Sequence, residues 1–170
     1  HAAGSLRAAL TEVAQAFTAQ SRLGVKPAFG ASGLLKDRIV RGEAAEVFAS
    51  ADLGNPRALA QAGLAGPVVL FARNELCAFA RPEVAVTPET LLERMLDPAI
   101  KLGTSTPRAD PSGDYAFQVF ARAEAVKPGA KAALEARALQ LTGGPGSAPA
   151  PDGVNVYGHN LASGAADLFL

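Results

Sequence analysis

Three short Ser/Gly turns constrain this chain more than any other feature: Ala3-Gly4-Ser5, Gly30-Ala31-Ser32-Gly33 and Pro111-Ser112-Gly113. Each stands where an apolar, strand-like run hands over to an amphipathic helical pattern. A helix N-terminus carries unpaired backbone N–H groups and a partial positive charge, so it can hold an anion without lysine or arginine. Small residues let the backbone approach a ligand closely, and serine adds a hydroxyl donor. Three such turns meeting at one point would form a neutral, hydrogen-bonding cage for a small oxyanion.

The pattern between the turns is βαβα. Leu6, Leu10, Val13 and Phe17 share one helical face over 5–20, with Ser5 as N-cap. A short strand is expected over 25–29. Leu34, Leu35, Ile39 and Val40 form the apolar side of a second helix that Gly42 stops. A buried strand follows over 46–50. Asn55-Pro56 caps a third helix ending at Gly63. The alternation predicts a largely parallel sheet with helices on its faces.

Beyond that, the apolar stretch 67–80 reads as two strands, or as one strand crossing between lobes. A helix is expected from Thr87-Pro88 to Leu96 and a strand from Ile100 to Gly103. A polar loop should cover 104–113. Helices are expected over 114–125, with Phe117, Phe120 and Ala121 inward, and over 128–141. A Gly/Pro/Ser-rich surface loop spans 143–153, and a short helix over 154–163 precedes a terminal strand.

Sixteen basic and sixteen acidic side chains cancel, so nucleic acid is a poor guess as partner. An oxyanion site in such a chain must rely on dipoles and neutral donors. The 170 residues suffice for one sizeable core or two small lobes. The single cysteine, Cys77, excludes an internal disulfide and reads as a small buried residue. No apolar run is long enough to span a bilayer as a helix. The opening His1-Ala2-Ala3 reads as the tail of a strand, and the closing residues 165–170 as a strand cut in mid-run. A processed or truncated piece of a longer protein is expected.

Other chemistries find little support. Ser32 lacks the spacing of a nucleophile elbow, because the second glycine comes one residue too early. With only His1 and His159, a base for Ser32 or Ser112 is hard to assemble, and His159 reads as a structural residue. Asp52 and Asp114 sit in turns where aspartate commonly caps the backbone, and no metal-ligand cluster is spaced along the chain. No cofactor is implied, since neither a Walker loop nor GxGxxG is present.

The ordered set Ala2-Ala-Gly-Ser-Leu6, Phe29-Gly-Ala-Ser-Gly33, Ala45-Glu-Val-Phe-Ala-Ser-Ala-Asp52, Ala72-Arg-Asn-Glu-Leu76, Ala109-Asp-Pro-Ser-Gly-Asp-Tyr115 and Ser163-Gly-Ala-Ala-Asp167 resembles the periplasmic molybdate-binding proteins, the substrate-binding components of ABC importers. The resemblance runs over essentially the whole chain. It implies an α/β, two-lobed type II solute-binding fold with mostly parallel sheets, helices on both faces and an incomplete first lobe. The lobes would be 1–73 and 74–166, with 167–170 starting a return crossover.

It further implies that Ser5 and Ser32 bind ligand oxygens by hydroxyl and backbone N–H. Ser112 would do so mainly by its N–H, and Val154 or the neighbouring Asn155 would offer another. The ligand would be molybdate or tungstate, held through its oxygens in an interlobe cleft, and the partner a membrane permease. The protein would be a periplasmic monomer and not an enzyme. A cage of donors alone disfavours a protonated oxyanion. The alternatives are a regulator's ligand-sensing domain on the same fold, or a binding protein for sulfate, phosphate or an organic acid.

Overall fold

The computed structural model of the chain describes residues 1–149, 151 and 153–170. It divides into two compact units, His1–Asn74 and Glu75–Leu170. In the first, β1 (Ala2–Ala3) pairs in parallel with β2 (Phe29–Gly30), in the register Ala2↔Phe29 and Ala3↔Gly30. Ala49 makes an isolated parallel bridge to Ala2 on the other side. Three parallel segments therefore end at one sheet edge. A single turn of 3-10 helix (Gly4–Leu6) leads from β1 into α1 (Arg7–Ser21). Next come α2 (Ser32–Val40) and α3 (Gly54–Gln61).

Several expectations change here. Ser5 is not an N-cap: it lies inside the 3-10 turn, and α1 starts after Leu6 with no side-chain cap. No α1 residue is buried, and Val13 and Phe17 are 59% and 47% exposed. The helical spacing was legible, but spacing does not supply the surface that covers a face. The segment 46–50 is no buried strand. Ala49 alone bridges, and Val47 is 71% exposed. The strand expected over 25–29 shrinks to Phe29–Gly30. Gly42, at φ 96°, does end α2: its N–H bonds the Ile39 carbonyl, a left-handed stop that favours glycine. The third helix starts one residue before Asn55, whose N–H the Asp52 carboxylate accepts.

The second unit holds a four-stranded sheet in the order β3 (Phe79–Ala80), β6 (Leu168–Phe169), β4 (Leu102–Ser105), β5 (Leu139–Thr142). The pairs β4–β5 and β4–β6 are parallel, and β3 is the antiparallel edge. The helices are α4 (Leu91–Leu96), α5 (Pro111–Val126), α6 (Ala130–Arg137) and α7 (Val156–Ala162). The core gathers Met95, Leu102, Ala116, Phe120, Leu134 and Leu168, with Phe120 fully buried. Arg137 ties α6 to the chain before β4 by donating to the carbonyls of Met95 (2.8 Å), Asp97 and Ile100 (2.6 Å).

The helix expected over 128–141 is two elements. Gly129, at φ 84°, opens α6, and the Glu124 carboxylate accepts the N–H groups of Gly129 and Lys131. After Arg137 the period drops to two, and Leu139–Thr142 pairs with β4. Ala121 is exposed, and Ala116 and Ala123 face the core instead. Only Phe79–Ala80 is strand within 67–80, and Cys77 is exposed. Thr87 and Thr90 bond each other's backbone, so α4 begins only at Leu91. The strand expected over 100–103 lies at Leu102–Ser105, which shortens the polar loop after it. Ala150 and Asp152, in the loop expected over 143–153, lie outside the described residues.

Candidate functional site

Each unit presents its own set of polar groups at the carboxyl ends of its parallel strands, where open α/β sheets place their ligands. In the first unit the register of β1 and β2 brings the Ser5 and Ser32 turns to the same sheet edge. Ser32 is 1% exposed and is the first residue of α2. Its hydroxyl oxygen accepts the Ala51 N–H at 3.1 Å, which ties the α2 start to the chain after Ala49. A serine oxygen that accepts one bond keeps its own hydrogen to give. The backbone N–H groups of Ser32, Gly33 and Leu34 have no acceptor among the described residues, as the first turn of a helix dictates. Ser5 is exposed, and its hydroxyl bonds no described residue.

Negative charge nearby is tied down. Asp52 accepts from the Ser50 hydroxyl at 2.7 Å and from Asn55 through both backbone and side-chain nitrogens. The Arg7 guanidinium lies 4.8 Å over the Phe29 ring.

The second unit differs in kind. Asp110 is the N-cap of α5, followed by Pro111 at a position where the missing N–H costs nothing. Its carboxylate accepts the Ser112 N–H at 3.2 Å, the group expected to serve a ligand. Gly143, at φ 73°, makes room for it: a Cβ there would fall 2.4 Å from the Asp110 side chain. The Ser105 hydroxyl, at the end of β4, pairs with the Thr142 hydroxyl at 2.7 Å. Burial, opposed by the hydrogen bonds of Ser112 and Ser105, holds the Asp110 carboxyl above the usual carboxylate range.

Tyr157 completes this cluster. Burial first, and the Asp110 charge second, raise its phenol above the ordinary value, a shift that the Ser112 and Ser105 side chains oppose. Its ring packs on Phe169 at 5.1 Å and stacks with Phe79 at 6.4 Å. The Asn155 side chain caps α7 by accepting the N–H groups of Tyr157 and Gly158, both at 3.0 Å. The Val154 N–H donates to the Pro151 carbonyl at 3.1 Å, and Val154 is 48% exposed.

The structure thus brings Ser5 and Ser32 to one edge and sets Ser112 among hydroxyls, a phenol and a carboxylate. Sequence reasoning missed Ser105, Asp110, Thr142 and Tyr157. Asp110-Pro111 carried a readable helix-start signal, and Asn155 two residues before Tyr157 carried another. Ser105 and Thr142 carried none, because their pairing spans 37 residues and needs the sheet. His159 is exposed on α7, and no group of three or more metal-ligating side chains occurs among the described residues.

Parallel-dominated sheets with flanking helices define an α/β protein. A model of the bacterial extracellular solute-binding proteins matches residues 1–170, and the chain belongs to that family. An uncharacterized protein of Pasteurella multocida (strain Pm70), PM1146, is 38% identical over 170 residues, which are 99% of this chain and 70% of that protein. Among solved structures, the periplasmic molybdate-binding protein of Azotobacter vinelandii superposes with a TM-score of 0.65 at 23% identity, over 99% of this chain and 68% of that one. The substrate-binding domain of a putative molybdenum ABC transporter from Clostridium difficile gives 0.51 at 17%, over 99% and 67%. The fold is that of the periplasmic binding proteins.

Proposed function

We propose that this chain binds a tetrahedral oxyanion, molybdate or tungstate, for delivery to the permease of an ABC importer. It would act in the periplasm and by binding alone, with no chemistry on its ligand. The observation that carries the reading is the Ser32 turn. A buried serine with a hydrogen to donate stands beside three backbone N–H groups unpaired among the described residues, at the edge that also holds Ser5. Such a set offers donors without a cation, which suits a chain of zero formal net charge. The two structural neighbours, a molybdate-binding protein and the substrate-binding domain of a putative molybdenum ABC transporter, support the choice of anion.

In this reading Ser5 and Ser32 donate from the first unit, and Ser112, with the backbone at Val154 or Asn155, from the second. The units His1–Asn74 and Glu75–Leu170 would be the two lobes. The Ser112 and Val154 N–H groups both have protein acceptors, so both must be released or bypassed when ligand binds.

Titration calorimetry with molybdate, tungstate, sulfate and phosphate tests the proposal. Heat with the first two and little with the others is expected. Silence with all four would sink it.

A further inference from the structure

Ser112 would serve an anion through an N–H that a carboxylate already holds, with Asp110 Oδ1 3.2 Å from it. We propose that Asp110 is a specificity-determining residue of the second unit, taking up one proton when a dianionic oxyanion binds at the start of α5. The inference rests on the oxyanion reading above. A ligand drawn to the Ser112 N–H must bring its oxygens against the carboxylate seated there. Two negative oxygens around one donor cannot both remain charged, and the pair keeps a proton.

The surroundings favour the carboxylate as its holder. From α7 it faces the Tyr157 phenol, itself a reluctant acid here. From β4 the Ser105 hydroxyl acts on it, and at the start of the loop after β5 Gly143 lies against it without a side chain. Within α5 the nearby charge is Asp114, which is negative and accepts the Arg108 N–H at 2.8 Å. No cation among the described residues acts on Asp110. Burial already favours its neutral form, and a second anion pushes the same way. Protonated, Asp110 gains an O–H donor, so that a site with one fixed acceptor becomes a cage of donors.

The consequence is selective. A dianion without a proton binds with uptake of one from solvent, whereas an oxyanion that carries its own proton can share it with ionised Asp110.

Molybdate titrations of the wild-type chain and of Asp110→Asn, from about pH 5 to about pH 8 in buffers of different ionisation enthalpy, decide the matter. Asparagine keeps an oxygen to cap Ser112 but no charge. Wild type is expected to take up close to one proton at the alkaline end. Its affinity should fall about tenfold per pH unit above the free carboxyl's titration. Asp110→Asn should bind with no such uptake and a flat profile. Any protonation of molybdate itself appears in both variants, so the difference isolates Asp110. Binding to wild type without uptake, or equal slopes in both, overturns the inference and leaves the oxyanion reading intact. Should that variant fail to fold, Asp110→Ser, which also caps Ser112 without a charge, takes its place in the comparison. Molybdate binding to neither protein overturns both.

Discussion

Ser32 and Ser112 both stand in the first turn of a helix, yet they meet opposite electrostatics. Ser32 bonds a backbone amide and leaves its helix start open, whereas Ser112 has a carboxylate at its N–H. Ser32→Ala should therefore weaken molybdate binding by about 1–3 kcal/mol, because a ligand oxygen loses a desolvated donor. Unchanged affinity in calorimetry would remove Ser32 from the site. Asp110 also marks the pH dependence of the fold. Its folded-state carboxyl titrates above its unfolded value, so the protonated form is preferred on folding. That contribution is full below the unfolded carboxyl's titration and is lost as pH rises through the folded one. Urea unfolding across the acid range should show Asp110→Asn losing this slope. Thr104 offers a different test, since its hydroxyl is buried without a partner among the described residues. Thr104→Val should raise stability by up to about 1–2 kcal/mol in chemical denaturation. These residue-scale contrasts were half legible. Serine and glycine announced the turns, and Asp110 before Pro111 marked a cap that occupies the Ser112 N–H, whereas the Ser32 bond to Ala51 needed the tertiary fold.

At the scale of elements, periodicity located the helices better than the strands. α2 and α5 lie close to where their apolar spacing put them, although only Leu35 of the face marked on α2 and Phe120 of the three residues marked on α5 are fully buried. α5 packs on the sheet through Ala116, Phe120 and Ala123, and Phe120→Ala should cost about 3–5 kcal/mol by opening a cavity in the second unit. A smaller loss in thermal unfolding would mean that the core collapses around the gap. The residues of β5 read in sequence as the end of a helix. Their alanine-rich lead favours helix, while the alternation of Leu139 and Leu141 is too short to outweigh it without β4 alongside. α1 makes the reverse point: its apolar stripe is clear, yet no residue of it is buried.

For the whole molecule, ligand linkage is the broadest check. If molybdate is the guest, a thousandfold excess over its Kd should raise apparent stability by about 4 kcal/mol. Differential scanning fluorimetry should show the corresponding upward shift, and sulfate at equal concentration should give much less. The amino-acid sequence by itself determined the strand-to-helix alternation, the placement of the Ser/Gly turns and the neutral charge balance. These follow from propensity, spacing and composition, which act over a few residues. Tertiary structure alone decided that Ser5 and Ser32 share an edge, through the β1–β2 register. It also decided that Ser105 meets Thr142, and that Tyr157 comes to Asp110 and Ser112. Those meetings join residues tens of positions apart, and only strand pairing and burial bring such groups within hydrogen-bonding reach.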